Sequence, residues 1–220
     1  MIKTINYDKD KQKINFTSDM QINLANAIRR SVLEIPIMAI DEVEITKNDS
    51  ALYDEILAHR IGLIPIKTGA NKEIKFKLQV KGPKIVVSGD FKPSTDAEDN
   101  LPIVLLDKDQ EVEVVGEARL GKGEDHIKYS PGLMYYKHSL DEELLDYLHI
   151  GEDGKASYDE EEMKNKGLSD DKISKIKSFK EALELEIGIE SWGQIEVKDI
   201  FIKAADVLSD NLKELDKAVK

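Results

Sequence analysis

The chain has 220 residues, of which 40% are hydrophobic and 35% charged, and its net charge is −12 at pH 7. These values predict a folded chain with one large domain or two small ones. The lack of cysteine excludes disulfides, thiolate zinc sites and cysteine-bound iron–sulfur clusters. An acidic chain without a basic face is also a poor candidate for binding nucleic acid by itself.

No membrane segment is expected. The N-terminal residues contain no apolar core of signal-peptide length, and the longest apolar run, Ile35 to Ile40, is too short to cross a bilayer. We therefore expect a soluble, cytoplasmic protein.

The first elements in the chain are two short strands, Ile2–Tyr7 and Gln12–Thr17, joined by a polar turn. A helix is predicted at Asn23–Ile35, because Pro36 stops the helical pattern. A strand with one wetter face follows at Ile37–Thr46. The first fifth of the chain is thus predicted as strand, strand, helix and strand.

The early helix has two faces. Its apolar side is formed by Leu24, Ala25, Ile28, Val32 and Ile35. Its opposite side carries Asn26, Arg29 and Arg30, with Leu33 between the two arginines. The chain has four arginines in all, and arginine suits fixed, forked contacts with carboxylates and backbone. The plainer alternative is a solvated basic corner.

A second helix is predicted at Leu52–Ile61. Asn48 to Ser50 offer N-cap residues, and Gly62 lies at a C-cap position. His59 lies in this helix without a second histidine, a cysteine or a carboxylate cluster at ligand spacing. We therefore predict packing or a hydrogen bond for His59, and no metal site.

The middle of the chain is predicted to be mostly β. Residues Glu73–Lys81 alternate cleanly between apolar and polar, and turn residues separate the further strands. These strands are Lys84–Val87, Ile103–Leu106 and Gln110–Leu120, where Val112, Val114, Ala118 and Leu120 share a face.

The loop Gly121 to Ser130 carries glycine and charged residues. Its spacing matches neither a Walker nor a dinucleotide fingerprint, so nucleotide binding is disfavoured. His126, Asp125 and Ser130 form no convincing catalytic triad, because nothing like a nucleophile elbow surrounds the serine. We interpret the segment as a shaped connecting loop.

Residues 138–172 form an acidic surface excursion, with twelve acidic residues against four lysines and a short helical pattern at Asp141–Leu148. The acidic run Asp159–Glu162 could bind a hard cation, but no segment has calcium-loop ligand spacing. A solvated face is the favoured interpretation.

The chain ends with a strand and a long helix. Leu183, Leu185, Ile187 and Ile189 alternate with polar residues or glycine, and Ser191 to Gly193 close the strand. From Val197 onward an apolar stripe roughly 160° wide exceeds the ~100° that one packing partner needs. Its members are Val197, Ile200, Phe201, Ala204, Ala205, Val207, Leu208, Leu212, Leu215 and Ala218. We expect half of this stripe to pack on this chain's own sheet and the other half to bind a partner chain.

Together these elements predict an α+β fold. A discontinuous dimerisation domain, with a sheet and two amphipathic helices, takes residues 1–47 and 178–220. A β-rich domain is inserted at 48–177 and includes the acidic excursion 138–172. Pairing the two helices with those of another subunit would give a four-helix bundle, with a buried interface of more than ~2,000 Å².

Several motifs resemble one known family, that of the D subunit of archaeal DNA-directed RNA polymerases. The family is the counterpart of the third-largest subunit of the eukaryotic nuclear enzymes and of the N-terminal domain of the bacterial α subunit. The resemblance covers nearly the whole chain in order. It is carried by NLANAIRRSVLEIPIMAI (23–40), DEVEI (41–45), DEILAHRIGLIPI (54–66), ARLGKGEDHIKYSPG (118–132) and ESWG (190–193).

The resemblance implies a non-catalytic assembly scaffold with no active site of its own, and the lack of cysteine leads us to expect no metal or cofactor in this chain. The family's members pair with the small L subunit, and with the N and P subunits the pair recruits the large catalytic subunits. Arg29, Arg30 and Leu33 would face a large subunit. The small-subunit interface would contain Leu24, Ile28, Val32, Ile35, Phe201, Ala204, Leu208, Leu212 and Leu215.

Two further points follow from the resemblance. Many members carry a cysteine-bound iron–sulfur cluster, which the corresponding segment 138–172 cannot hold without cysteine. The alternative to a scaffold is an autonomous module, either a homodimer built on the same bundle or a small enzyme that uses the Gly121–Ser130 loop.

Overall fold

The computed structural model describes residues 2–69, 73–138, 147, 149–150, 156–177 and 185–219. The strands in these ranges are β1 (Ile2–Asp8), β2 (Lys13–Ser18), β3 (Ile37–Asn48), β4 (Glu73–Lys81), β5 (Lys84–Val87), β6 (Pro102–Leu106), β7 (Glu111–Gly121), β8 (Gly132–His138), β9 (His149–Ile150), β10 (Ala156–Ser157) and β11 (Leu185–Ser191). The α-helices are α1 (Ile22–Ser31), α2 (Asp54–Gly62), α3 (Glu160–Asn165), α4 (Asp170–Lys177) and α5 (Val197–Val219). The predicted α+β fold class is confirmed.

The chain divides into two compact units. The first unit contains Met1–Asn6, Asn15–Ala25 and Tyr135–Gly188, and the second contains Tyr7–Ile14, Asn26–Met134 and Ile189–Lys220. One sheet has the strand order β1-β2-β11-β8, in which β1 and β2 are neighbours, as a hairpin requires.

The second unit is built on a three-stranded antiparallel sheet with the order β3-β7-β4. The alternation predicted for β4 is observed, with Phe76, Leu78 and Val80 buried between exposed polar residues. In β7, Val112, Val114 and Ala118 are buried as predicted, but Leu120 is exposed. The shared apolar face therefore ends at Ala118, three residues before the strand does.

Helix α2 packs on this sheet through Leu57 and Ile61, which are fully buried. Arg60 ties the same helix to β6, because its Nε donates to the Ile103 carbonyl at 2.6 Å and its Nη2 to the Pro102 carbonyl at 2.8 Å. This arginine therefore joins the helix to two backbone carbonyls of β6.

Two predicted helix ends differ from the structure. The predicted helix Asn23–Ile35 is an α-helix only to Ser31, and Val32–Glu34 form a 3-10 turn. In α2, Gly62 is the last helical residue and Tyr53 is the N-cap. Asn48 instead holds the preceding loop, since its Nδ2 donates to the Leu52 carbonyl at 2.9 Å and to Asp54 Oδ1 at 2.8 Å.

Strand β8 was not predicted, because its apolar residues follow one another without alternation. The strand β3, predicted for the dimerisation domain, pairs with β7 of the predicted insert. The domain limits 1–47, 48–177 and 178–220 stay a prediction.

A small apolar cluster joins the described part of the acidic excursion to the residues that follow it. Met163, Ile173 and Ile176 are buried together, and Tyr147 and Leu168 pack against them. The helix predicted at Asp141–Leu148 lies largely outside the described residues.

Within the described ranges, no helix is both long and apolar enough to cross a membrane. In the same ranges, no three histidine, aspartate or glutamate side chains converge as metal ligands.

Candidate protein–protein interface

Helix α5 begins on the body of the second unit and then leaves it. Val197, Ile200 and Ala204 are buried, and the helix contacts the 3-10 turn Val32–Glu34. From Ser209 to Val219, every residue is exposed. The second half of α5 is therefore not covered by the described part of the chain.

The apolar face of α5 continues into this uncovered half. Leu208 is half-buried, and Leu212, Leu215 and Val219 are 58%, 59% and 79% exposed. Intervals of three or four residues place these four side chains on the same face as Val197 and Ala204. We call Leu208, Leu212, Leu215 and Val219 the α5 stripe.

The residues predicted for the small-subunit interface fall into three groups. Leu24, Leu212 and Leu215 are exposed, and Phe201 and Leu208 are half-buried. Ile28, Val32, Ile35 and Ala204 are buried by this chain itself. The buried members are part of the core of this chain. The assignment of the interface stays a prediction.

The arginine side of α1 borders a groove of about 470 Å³ in the second unit. Arg29 and Leu33 line it, whereas Arg30 does not; Arg30 is exposed and makes no ion pair within the described ranges. We call this cavity the Arg29 groove. It is lined by Arg29, Val32, Leu33, Leu63, Pro65, Ile127, Lys128, Ser130, Gly132, Leu133, Met134, Trp192 and Gln194.

Most residues of the Arg29 groove are not predicted from the sequence. Leu63, Ile127, Leu133 and Trp192 line it as exposed apolar side chains. The signal that could have found it is Trp192, the only tryptophan in the chain, in a Ser-Trp-Gly turn. Large apolar residues that cluster at a surface mark sites of interaction.

Backbone hydrogen bonds hold the walls of the groove together. Trp192 N donates to the Pro131 carbonyl at 3.1 Å, and Thr68 N donates to the Gln194 carbonyl at 2.8 Å. Glu124 N donates to the Leu33 carbonyl at 3.3 Å. The groove is therefore framed by the 3-10 turn, the segment after α2, the Gly121–Ser130 loop and the turn at Trp192.

Asp41 anchors the loop to the sheet. Its Oδ1 accepts from Lys128 Nζ at 2.6 Å and from Tyr129 Oη at 2.8 Å, and Arg119 forms an ion pair with Oδ2. The register of β3 on β7 shifts between Ile40 and Glu42, so Asp41 is the extra residue of a bulge. We call Asp41, Arg119, Lys128 and Tyr129 the Asp41 cluster.

Charge pairing dominates this cluster. The hydrogen bond from Lys128, helped by Tyr129 and by the charges of Lys128 and Arg119, holds the pKa of Asp41 below its usual value, against the effect of burial. Asp41 and Lys128 are both largely buried, so their pairing is well shielded from water.

Two glycines let the Gly121–Ser130 loop lie close to the side chains that it contacts. A Cβ at Gly121 would lie 2.6 Å from the ring carbons of Tyr129, and one at Gly123 would lie 3.0 Å from Leu33 Cδ2. The glycines of this loop therefore serve packing, as expected for a shaped connection.

The polar side chains of the loop are engaged by the backbone. His126 Nδ1 accepts from Lys128 N at 3.1 Å, and the buried Ser130 Oγ donates to the Gly132 carbonyl at 3.0 Å. These bonds do not activate the serine as a nucleophile. The alternative of a small enzyme that uses this loop is therefore not favoured.

The chain is similar to known polymerase subunits. A family model described as "RNA polymerase Rpb3/RpoA insert domain" matches residues 35–134. Subunit Rpo3 of the DNA-directed RNA polymerase of Halobacterium salinarum is 31% identical, over 97% of this chain and 95% of that protein. Rpo3 of Methanocaldococcus jannaschii is 42% identical, over 59% of this chain and 71% of that protein.

Other Rpo3 proteins match a smaller share of this chain and of their own length than the Halobacterium protein does. Rpo3 of Thermococcus kodakarensis is 39% identical over 66% of this chain. The chain spans 57–61% of the length of this protein and of two Pyrococcus relatives. The match to the Halobacterium protein nevertheless extends over almost all of both sequences, and the predicted family is confirmed: this chain belongs to the family of archaeal DNA-directed RNA polymerase subunit Rpo3.

Proposed function

We propose that this chain is the non-catalytic assembly subunit of an archaeal DNA-directed RNA polymerase. In this proposal the α5 stripe pairs with the small L subunit, and the arginine side of α1 holds a large catalytic subunit. The N and P subunits join the pair, and the chain makes little or no direct contact with nucleic acid. Family membership supports the proposal.

The observation that carries this proposal is the uncovered half of α5. The eleven exposed residues from Ser209 to Val219 continue a 23-residue helix beyond the part that this chain covers, and their apolar stripe is the kind of exposed surface that marks a site of interaction. Burying their apolar face against a partner helix would contribute about 25 cal/mol for each Å² of apolar surface.

We propose further that the subunit works in the cytoplasm, without a metal or cofactor. The lack of cysteine supports the absence of an iron–sulfur cluster, because the thiolates that hold such a cluster are missing from the sequence. Its contribution to transcription is then purely architectural.

Co-expression with the L subunit tests the pairing. We expect native mass spectrometry of the purified complex to show one copy of each chain. Expression without L should lower the yield and leave a purified chain that self-associates as its concentration rises, because the α5 stripe then stays exposed to water. A lone chain that stays monomeric at every concentration, or a homodimer that L does not displace, would contradict the proposal and favour the autonomous module.

A further inference from the structure

We propose that the Arg29 groove receives a segment of a large catalytic subunit that presents a bulky apolar side chain, a hydrogen-bond donor and a carboxylate. This inference rests on the proposed function, in which the arginine side of α1 holds a large subunit. Three features of the groove specify the three groups.

The hydrogen-bond donor is specified by Gln194, which lines the groove. The residue is only 5% exposed, and its Nε2 donates to the Ser130 carbonyl at 3.3 Å. That bond fixes the orientation of the amide, so Oε1 is the remaining acceptor. This oxygen is buried and has no hydrogen-bond partner within the described ranges. Such an acceptor is costly to leave unpaired, and an N–H or O–H from a docked segment would satisfy it.

The carboxylate is specified by Arg29. Its Nε and Nη2 donate to Asn26 Oδ1 at 3.2 Å and 2.9 Å, which orients the guanidinium. Arginine has five N–H donors, and the others make no hydrogen bond to any described residue. Lys128, the other charged residue of the lining, is already neutralised by Asp41. An incoming carboxylate therefore meets an unneutralised cation, although the chain carries a net charge of −12.

The apolar side chain is specified by the rim. Leu63, Ile127, Leu133 and Trp192 are exposed around a volume of about 470 Å³, within the range of pockets that bury a bound group. A bulky side chain inserted among them would exclude water from Arg29, which strengthens its contact with the carboxylate.

The test uses the full chain paired with the L subunit and, as the probe, the second-largest subunit of the same polymerase. Binding of the probe is measured for the unchanged pair and for Arg29→Ala, Leu63→Ser and Gln194→Met. We expect each substitution to weaken binding by about tenfold or more while the pairing with L stays unchanged.

Thr95→Val is the matched control for Gln194→Met. Thr95 Oγ1 is also buried and unpartnered within the described ranges, but Thr95 does not line the groove. Thermal unfolding of the free variants is measured alongside, because Gln194→Met also removes the bond to Ser130. Weaker binding in Gln194→Met with an unchanged midpoint, and normal binding in Thr95→Val, would support the inference.

The remaining outcomes overturn it in different ways. If Leu63→Ser weakens binding and Gln194→Met does not, Oε1 of Gln194 holds an ordered water only, and the docked segment presents no hydrogen-bond donor to it. If all three groove variants bind as the unchanged pair does, the large subunit binds elsewhere and the scaffold function stands. If the unchanged pair fails to bind the probe, the proposed function itself fails.

Discussion

Asn211 Nδ2 in the last helix donates a hydrogen bond of 2.8 Å to Glu34 Oε2, 177 positions earlier in the chain. Glu34 belongs to the 3-10 turn that follows α1, and Asn211 belongs to the half of α5 in which every residue is exposed. The bond therefore connects the uncovered half of α5 to the turn that borders the Arg29 groove. The two candidate interfaces share this part of the molecule.

The α5 stripe gives the first prediction. Leu212→Asp should change the free energy of unfolding of the isolated chain by less than about 0.5 kcal/mol, because Leu212 is exposed. It should weaken pairing with the L subunit at least tenfold, because an unpaired charge would be buried in the complex. Leu208 is half-buried, so a charge there would also lower the stability of the isolated chain.

The matched control is Lys203→Asp, which puts a carboxylate on the opposite, exposed face of the same helix. Pairing with L should survive this change. Titration of each variant with L, followed by analytical ultracentrifugation, measures both affinities. Equal affinities for the two variants would show that the partner binds a different face of α5.

Ile200 gives a contrasting prediction for the covered half of the same helix. Ile200→Ala removes a fully buried side chain and should lower the free energy of unfolding of the free chain by about 2–5 kcal/mol. Urea unfolding followed by circular dichroism measures the loss. A change as small as that of Leu212→Asp would mean that α5 is not fixed to the body of the second unit.

Gly121 gives a prediction about the loop. A Cβ there would lie 2.6 Å from the Tyr129 ring, so Gly121→Ala should destabilise the chain by about 1–3 kcal/mol. Gly69→Ala is the control, because nothing lies within 4 Å of its added Cβ. Thermal unfolding of both variants measures the difference. Equal midpoints would mean that the Tyr129 ring moves aside at little cost.

Asp41 gives a prediction about pH. Its pKa is lowered in the folded chain, so ionised Asp41 stabilises the fold at pH values above the usual carboxyl pKa of 3.8. This contribution is lost as the pH falls through the lower pKa of the folded state. Asp41→Asn should therefore cost about 1–3 kcal/mol at neutral pH, and this difference should shrink below pH 3.8.

Unfolding by urea over a series of pH values measures this difference. Glu117→Gln is the control, because it removes a carboxylate whose ion pair with Lys75 is exposed and contributes little. A difference between Asp41→Asn and the unchanged chain that stays constant down to strongly acid pH would rule out ionised Asp41 as its source.

Much of this fold could be predicted where residue patterns are local. The limits of β4 and β5 match the prediction, since their turns and alternation are encoded in neighbouring residues. The end of α1 could not be predicted, because a 3-10 turn keeps Val32 and Ile35 at a spacing that also fits an α-helix. Strand β8 was missed because Leu133 to Tyr136 show no period of two.

The candidate interface was predicted only where its residues follow a local pattern. The pattern of α5 identified the residues of its apolar face, but not which half of the helix the chain covers. The family resemblance assigned Arg29 and Leu33 to the large-subunit side, in agreement with their place on the second face of α1. Their closeness to Trp192 and Gln194, and the contact of Asp41 with Lys128, depend on tertiary contacts for which no local pattern exists.

The 3-10 turn Val32–Glu34 belongs to both surfaces. Val32 and Leu33 line the groove, and Glu34 holds Asn211 of α5. A subunit that immobilises this turn from one side removes conformational freedom that the other subunit would otherwise have to restrict. We therefore expect positive cooperativity in assembly, and thermodynamic reciprocity requires each binding event to strengthen the other by the same factor.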